Sequence, residues 1–182
     1  MRKLSVPSRS PVSLHYTFFP TPLGMGGLAA TNKGICRVRL RLTGEAEFLD
    51  DLAANYPGLV PLKRTTEFRD LVRQFDRYFR GKLDRFQCRL DLGAGTPFQQ
   101  GIWRRLGTIP YGQTRSYRWL AQAVGRPSAY RAAGNANGRN PIPILIPCHR
   151  VIRDNGELGG YTGGLDIKRF LLDLEHKTHG II

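Results

Sequence analysis

Hydrophobic and polar residues alternate along the first half of the chain in a pattern that predicts a small sheet. Between residues 14 and 42 the sequence is strand-like and is broken by prolines, glycines and an Asn-Lys-Gly turn. Every second residue of 35–42 is apolar, which predicts a half-buried antiparallel strand with Cys36 on its inner face. Residues 85–92 alternate in the same way, so we predict a further strand there with Cys88 directed inward.

Two segments of this half instead carry apolar residues at helical spacing. The first, 45–56, ends at a Pro-Gly pair, and the second, 66–81, repeats large apolar residues at i, i+3, i+4 and i+7. Strands combined with helices predict a small α/β domain with an antiparallel sheet over residues 13–92. We expect residues 1–12 to form a flexible arm and residues 93–96 a linker.

The second half opens with a strong helix-start signal. Thr96-Pro97-Phe98-Gln99 combines a capping box with proline at the first helical position. A second helix is predicted over about 116–124, and the turn 125–127 leads to a third helix that begins at Ser128. This is the spacing of a helix-turn-helix, although any helical hairpin has it too. We predict a mostly helical domain over 97–182.

The predicted third helix has almost no bulky side chain except Arg131. Alanine and glycine fill most of its positions, Ala132 among them, while Asn135, Asn137 and Arg139 make its end polar. Small residues permit tight helix packing, and that interpretation stays open. They also allow a helix to lie close to a DNA backbone in the minor groove, with an arginine as a wedge.

Charge is the main contribution of composition to this picture. The 182 residues include 28 Lys and Arg against 14 Asp and Glu, a net charge of +14. Residues 1–96 hold 16 basic and 9 acidic side chains and residues 97–182 hold 12 and 5, so the excess is spread along the chain. Such a balance favours a nucleic-acid partner. We see no segment suited to a membrane span or a secretory signal, and we expect a cytoplasmic protein.

Of the three cysteines, Cys148 is the candidate for a reactive thiol. Three cysteines without a C-x-x-C pair argue against a disulfide framework or a zinc knuckle, and Cys36 and Cys88 fit a strand core. Cys148 instead follows a proline and precedes His149 and Arg150, which favour the reactive thiolate. Because neighbouring side chains in an extended segment point apart, a water is needed to relay a proton between Cys148 and His149.

Glu175 is the candidate partner that would orient His149. It lies at the edge of an apolar stripe on the last helix that includes Ile167 and Leu171. A carboxylate at such a position requires a partner if it is buried. Spacing alone slightly favours the ordinary alternative, a solvated charge near a helix end.

These residues carry a family resemblance. Segment 140–152, Asn-Pro-Ile-Pro-Ile-Leu-Ile-Pro-Cys-His-Arg-Val-Ile, and segment 160–164, Gly-Tyr-Thr-Gly-Gly, resemble the active-site signature of the O6-alkylguanine-DNA alkyltransferases. These proteins are also called methylated-DNA–protein-cysteine methyltransferases. The resemblance covers residues 97–182, whereas 1–96 resembles the family's N-terminal domain only in pattern and length.

The resemblance implies both a fold and an activity. The fold is an α/β, ribonuclease-H-like N-terminal domain joined to a mostly α, winged-helix or helix-turn-helix C-terminal domain. The activity is DNA repair in which the alkyl group of O6-alkylguanine passes irreversibly to the protein's own cysteine, once and without a cofactor. Repair of O4-alkylthymine stays open. The implied partner is double-stranded DNA bound through its minor groove by a monomer, with cooperative binding left open.

The resemblance also implies a role for each site residue. Cys148 would accept the alkyl group, with His149 as base through water and Glu175 orienting it. Asn140 would hold the neighbouring turn, and Tyr117 would contact DNA and hydrogen-bond the leaving guanine. The residues implied in DNA binding are Tyr117, Ser128, Arg131, Ala132 and Arg150, with Arg131 filling the gap left by an extruded nucleotide. The residues implied in the substrate pocket are Pro143, Val151, Tyr161, Thr162 and Gly163.

Gly163 bears on how large an alkyl group the pocket accepts. In the family, a bulky residue at the matching position is associated with exclusion of large O6 substituents, so a glycine implies an open slot. A turn with positive φ at Gly163 or Gly164 would also explain the glycine. On the residues alone, the two explanations have equal weight.

The same residues also bear on a metal site and on two other functions. Some animal members of the family bind zinc in the N-terminal domain, but this chain offers only His15, Cys36 and Cys88 there, so we expect no metal. A non-enzymatic winged-helix protein that binds DNA or recognises lesions explains the charge but not Cys148. A cysteine hydrolase explains Cys148 but not the slim helix that carries Arg131.

Overall fold

A four-stranded sheet forms the first half of the computed structural model, which describes residues 13–180; the predicted arm at 1–12 lies outside these residues. The strands are β1 (Leu14–Thr21), β2 (Gly24–Thr31), β3 (Gly34–Leu42) and β4 (Pro61–Lys63), in the spatial order β3-β2-β1-β4. The first three form the predicted antiparallel meander, but β4 pairs in parallel with β1. The sheet is therefore mixed, and β4 was missed because three residues carry too little alternation to predict a strand.

Two helices pack on opposite faces of this sheet. Helix α1 (Glu45–Asn55) covers one face with Phe48 and Leu52, both of which are fully buried. A 3₁₀ turn leads into α2 (Arg69–Phe79), which covers the other face and places Phe75 against Phe19, with ring centroids 4.8 Å apart. Both helices lie where the apolar spacing predicts them.

Strand β3 departs from the predicted one-sided alternation. Its register against β2 shifts at two places, and Cys36 packs toward α1 whereas Val38 packs in the core on the opposite face. A β-bulge has this effect because one extra residue moves the following side chains to the other face. As a result Arg37 and Arg39 lie on the α1 side, where both bind Asp51.

The predicted strand at 85–92 is wrong. This segment forms a single bridge, between Leu90 and Ile35 of β3, and Cys88 is exposed, so Cys88 is not a core residue. Phe86 does turn inward, with its ring centroid 4.9 Å from that of Phe75. The alternation marks an extended segment that anchors one ring on the core without the hydrogen-bonded ladder of a strand.

The second half is helical, as predicted. Its helices are α3 (Pro97–Leu106), α4 (Tyr117–Ala123), α5 (Tyr130–Gly138) and α6 (Leu165–Thr178). The capping box at Thr96 is present, and α4 and α5 pack together as a helix-turn-helix. Two-residue strands, β5 (Arg115–Ser116) and β6 (Val151–Ile152), pair in parallel. In residues 13–180, no helix combines the length and apolar character needed to cross a membrane.

The two halves meet along β3. The backbone amide of Val38 donates to the carbonyl of Pro141 at 2.9 Å, and Arg41 forms an ion pair with Asp166 at the start of α6. Apolar residues of α2, α3 and α6 belong to one continuous core. This contact places β3 opposite the segment that carries Cys148.

Candidate active site

A cleft of about 440 Å³ lies between β3 and the second half, with Cys148 among its lining residues. Cys148 begins a 3₁₀ turn, Cys148–Arg150, and is only 5% exposed. The end of α5, the loop 161–163 and residues of α3 also line the cleft. Of the predicted site residues, the cleft brings together Asn140, Pro143, Cys148, Tyr161, Thr162 and Gly163.

Asn140 fixes the chain that leads to Cys148. Its Nδ2 donates to the carbonyl of Ile146 at 2.8 Å, and its Oδ1 accepts from the amide of Ile142 at 3.0 Å. One side chain thus closes the turn between α5 and the cysteine. The three isoleucines of this turn are buried, so the backbone immediately before Cys148 is held by both packing and hydrogen bonds.

Cys148 is a neutral thiol at rest. Burial raises the pKa of the thiol, and the hydrogen bond from Asn140 and the charge of Lys168 offset only part of this effect. A thiol with a raised pKa is a weak nucleophile, so this cysteine requires a base.

His149 and Glu175 form a buried pair next to the cysteine. His149 Nε2 lies 2.8 Å from Glu175 Oε1, and both side chains are almost completely buried. Glu175 Oε1 also accepts from the hydroxyl of Tyr78 at 2.8 Å. Glu175 therefore lies inside the core with a full set of partners and is not a solvated charge near the helix end.

The protonation of this pair follows from its contacts. Burial alone would raise the pKa of Glu175, but hydrogen bonds and charge from His149 and Arg150 outweigh burial and hold that pKa well below its usual range. Glu175 is then a carboxylate, which only accepts, so His149 Nε2 carries the hydrogen. Burial lowers the pKa of His149, so its ring is neutral near pH 7 and Nδ1 is the basic nitrogen.

Arg150 is buried, so the prediction that it contacts DNA is wrong. It is 7% exposed, and its Nε and Nη2 donate to the two oxygens of Glu175 at 2.8 and 2.9 Å. Its Nη1 donates to the carbonyl of Ile109 at 2.6 Å. The 3₁₀ turn directs both His149 and Arg150 toward α6, an arrangement that an extended reading of the segment does not predict.

The Val151 side chain does not line the cleft, and a role for this residue in the pocket stays a prediction. It is fully buried on β6, and its carbonyl accepts from Lys168 Nζ. Tyr117, the first residue of α4, is half-buried beside Gly159 and donates to the carbonyl of Gly160 at 3.4 Å. Tyr117 thus borders the loop that forms one wall of the cleft.

Lys168 is a site residue that the sequence analysis missed. It is 0% exposed, and its Nζ donates to the carbonyls of Val151, Leu158 and Gly160. Burial lowers its pKa to about 8. The sequence does contain a signal that Lys168 is buried. It precedes Leu171 by three residues and Glu175 by seven, which places all three on one face of a helix.

The comparisons with known proteins give one consistent result. Residues 14–92 match the family described as "6-O-methylguanine DNA methyltransferase, ribonuclease-like domain", and residues 97–177 match its "DNA binding domain". The methylated-DNA–protein-cysteine methyltransferase of Methanosarcina barkeri is 43% identical over 165 residues, which span 91% of this chain and 99% of that protein. That of Mycobacterium leprae is 56% identical over 108 residues, 59% of this chain and 65% of that protein.

The comparison with solved structures leads to the same family. The crystal structure of Mycobacterium tuberculosis OGT in complex with DNA superposes with a TM-score of 0.78 at 41% identity and covers 90% of this chain and 94% of that one. This chain belongs to the methylated-DNA–protein-cysteine methyltransferase family. The family resemblance and the fold class predicted from the sequence are confirmed.

The helix-turn-helix of this methyltransferase family member presents an open surface. Ser128, Arg131 and Ala132 are exposed at the turn and in the first turn of α5. The Arg131 guanidinium lies over the ring of Tyr130, 5.9 Å from its centroid, and is not committed to an acidic partner in residues 13–180. Residues 13–180 hold no group of three or more His, Cys, Asp or Glu side chains that could bind a metal.

Proposed function

We propose that this family member repairs DNA by moving the alkyl group of O6-alkylguanine to Cys148, once per protein molecule. The sulfur attacks the alkyl carbon, the new S–C bond forms as the C–O6 bond breaks, and the bonding electron pair returns to guanine. The observation that carries the proposal is the cleft lined by the buried Cys148, with the buried His149–Glu175 pair directly after it in the chain. A thioether has no easy route back to a thiol, so the reaction is irreversible.

His149 is the base that activates the thiol. Its Nε2–H is held by the Glu175 carboxylate, and its Nδ1 has no hydrogen-bond partner in the described chain. We infer that a water passes the thiol proton to Nδ1, because adjacent residues of one turn do not face each other. The imidazolium formed in this step is stabilised by Glu175, as in other carboxylate–histidine pairs.

The leaving guanine needs a proton or a hydrogen bond as it accepts the electron pair. Tyr117 supports this step in the proposal, since its hydroxyl lies at the loop around Gly159 and Gly160 next to the cleft. Thr162 holds the same loop to α5 through a hydrogen bond from its Oγ1 to the carbonyl of Gly138. Pro143, Tyr161 and Gly163 would then enclose the base.

The position of Cys148 requires the target nucleotide to leave the duplex. A cysteine that is only 5% exposed and lines a cleft cannot reach a base that is stacked inside DNA. We propose that α5 enters the minor groove and that Arg131 fills the gap left by the extruded nucleotide, because α5 is slim and Arg131 is exposed on it. Nucleophile, base and carboxylate all come from one chain, which supports a monomer as the active form.

The two-part organisation of the chain, 13–92 and 97–182 joined by 93–96, forms part of the same proposal. The family matches at 14–92 and 97–177 support these boundaries.

Intact-protein mass spectrometry tests the activity directly. After incubation with a duplex that contains O6-methylguanine, the protein should gain the mass of one methyl group, and Cys148→Ala should gain none. Binding of the same duplex should be retained by Cys148→Ala, because the thiol makes no phosphate contact. An unchanged mass for the wild type would favour a non-enzymatic lesion-binding protein, and release of product over many turnovers would favour a hydrolase.

A further inference from the structure

Tyr78 brings a hydroxyl from the first half of the chain to the buried carboxylate of Glu175. Its Oη donates to Glu175 Oε1 at 2.8 Å, and the residue is only 1% exposed. The other donors to this carboxylate within residues 13–180 belong to the second half and are His149, Arg150 and the backbone amide of Gly112. Tyr78 therefore links α2 directly to the pair that serves the nucleophile.

Packing explains the ring of Tyr78 but not its hydroxyl. The ring centroid lies 5.4 Å from those of both Phe79 and Phe86 and 6.1 Å from that of Tyr111. A phenylalanine would fill the same space among these aromatic neighbours, whereas a buried hydroxyl is costly unless it has a partner. Burial and the negative charge of Glu175 raise the pKa of Tyr78 well above its usual value, so the hydroxyl keeps its proton and acts as a donor.

Three donors share one oxygen of Glu175. Besides Tyr78, Oε1 accepts from His149 Nε2 at 2.8 Å and from Arg150 Nη2 at 2.9 Å. Because the three hydrogen bonds draw on the same negative charge, the one from Tyr78 weakens the attraction between this oxygen and the His149 ring. A weaker acceptor stabilises the imidazolium less, since a hydrogen bond to the charged form favours that form. Tyr78 thus opposes the protonation of His149 in the resting protein.

We propose that Tyr78 acts through Glu175 as a positioning residue that keeps His149 neutral and ready to accept a proton. The inference rests on the proposed function and adds a residue of the first half to it. Loss of the hydroxyl should raise the pKa of His149, because Oε1 then has two donors in place of three. A protonated imidazole is no base, so the altered protein should lose activity in mild acid and keep it at higher pH.

The other charged and titratable groups around this pair do not depend on the Tyr78 hydroxyl. Burial lowers the pKa of His149, the carboxylate opposes this effect, and the charges of Arg150 and Lys168 add to it. The titratable groups that come from the 3₁₀ turn, the loop after α3 and the end of α6 are Cys148, Tyr111 and His179. Since all of these side chains stay in place when the hydroxyl is removed, a shifted pH profile reports on that hydroxyl.

The test measures single-turnover transfer from free O6-benzylguanine over a pH series from about 5 to 9. Tyr78→Phe keeps the ring and removes the hydroxyl. The acid limb of its profile should move to higher pH by about one unit, with roughly tenfold slower transfer on that limb and nearly equal rates above it. Tyr111→Phe is the matched control, because its hydroxyl bonds to Thr178 at 2.6 Å and not to Glu175, and its profile should keep the wild-type position. A merely structural role would lower the rate by the same factor at every pH.

NMR of the histidine rings distinguishes this inference from the proposed function. In isotope-labelled protein, His149 should titrate about one unit higher in Tyr78→Phe than in the wild type, whether or not alkyl transfer occurs. If Tyr78→Phe does not fold, wild-type protein labelled at tyrosine Cζ gives a second test, since the Tyr78 signal should shift as His149 gains its proton. An unshifted titration in the folded variant, or a Tyr78 signal that does not respond to His149, overturns the inference. Wild-type protein that gains no benzyl group refutes the proposed function, and the histidine titration then still decides whether Tyr78 acts on His149.

Discussion

Glu175 binds His149, Arg150 and Tyr78 at once, so its charge contributes to the folded state through three buried partners. Its pKa is held below the ordinary value of about 4.3 that the unfolded chain would have. A depressed folded-state pKa contributes stability that is present above the unfolded value and is lost as pH falls toward the folded value. The Glu175 carboxylate therefore stabilises the protein at neutral pH and less so in acid.

Glu175→Gln should lower the free energy of unfolding by about 3–5 kcal/mol at pH 7, because it leaves Arg150 buried without its anion. Urea unfolding at a series of pH values measures the effect, and the gap between wild type and variant should shrink below about pH 4.3. Glu157→Gln, which removes an exposed carboxylate paired with Arg153, serves as the control and should change little. A gap that does not depend on pH would show that the carboxylate contributes through packing alone.

Gly163 and Gly164 have different reasons to be glycine. Gly164 has φ of +101°, which other residues rarely adopt, whereas Gly163 lacks a positive φ and lines the cleft. A Cβ at Gly163 would lie 3.0 Å from the edge of the Tyr161 ring. The backbone explanation thus applies to Gly164, whereas any side chain at Gly163 would require the Tyr161 ring to shift, and the open slot there stays a prediction.

Gly163→Trp should suppress benzyl transfer from O6-benzylguanine by about tenfold or more and spare methyl transfer, because the indole would occupy space needed by the larger group. Competing reactions with both substrates, read by mass spectrometry, measure this. Gly164→Ala should instead lower the melting temperature because of its backbone conformation. Equal loss of both transfers in a folded Gly163→Trp protein would mean that this glycine does not set the size of the slot.

Single residues were predictable from the sequence mainly where a specific motif carried them. Cys148 was singled out by its Pro-Cys-His-Arg setting and Glu175 by the family resemblance, although the spacing of Glu175 slightly favoured a solvated charge; the structure buries both. Arg150 was misassigned because a 3₁₀ turn reverses the direction that an extended chain would give it. Tyr78 and Lys168 act through buried polar contacts, which depend on tertiary neighbours more than on local pattern.

The helix-turn-helix formed by α4 and α5 underlies the second mechanistic proposal, that the target nucleotide is extruded from the duplex. Arg131 lies exposed in the first turn of α5, outside the core and away from Cys148's buried partners. Extrusion costs a few kcal/mol of unstacking, and only a duplex substrate incurs it. A side chain that fills the resulting gap should therefore matter for duplex DNA and not for a free base.

Arg131→Ala should slow alkyl transfer from duplex DNA by about tenfold or more and leave the reaction with free O6-benzylguanine near the wild-type rate. Parallel single-turnover assays on the two substrates measure the difference. Arg104→Ala removes the same charge from the exposed side of α3 and should affect neither reaction strongly. If Arg131→Ala slowed both reactions equally, Arg131 would serve the fold or the pocket shape.

Elements with explicit end signals were located well from the sequence. Helix α3 begins at Pro97 because the Thr96 capping box specifies its start, and α4 begins after Ser116, whose Oγ accepts from the amide of Trp119. Strands were less predictable, since β4 is too short to alternate and 85–92 alternates without pairing. Hydrogen-bonded pairing is a property of two segments and cannot be read from one.

The cleft itself belongs to the scale of the whole molecule. One wall comes from β3, and the opposite side includes the end of α5 and the loop 161–163, both far from β3 in the chain. The register shift that precedes Val38 places its side chain in the core shared with the second half, and its amide donates to the carbonyl of Pro141. Sequence analysis singled out Cys148 but had no means to show that the first half helps to enclose it.

Charge, too, belongs to the whole molecule, and the sequence leaves open which half meets DNA because both carry the same excess of seven. The structure offers one exposed arginine in each half for a comparison. Arg126 is exposed in the turn of the helix-turn-helix, and Arg64 is exposed beside β4. Each phosphate contact contributes about −0.9 to the slope of log K against log salt. If the helix-turn-helix is the DNA-binding face, only the first of these arginines should enter that slope.

Arg126→Ala should therefore reduce the magnitude of the salt slope by about 0.9, whereas Arg64→Ala, with the same loss of charge, should leave it at the wild-type value. Fluorescence anisotropy with an unmodified duplex across a range of salt concentrations measures both. The reaction with free O6-benzylguanine should hardly change over that range, because it involves no phosphate. Equal reductions in both variants would mean that the positive charge of the whole surface attracts DNA, and an effect of Arg64 alone would move the DNA-binding face to the sheet.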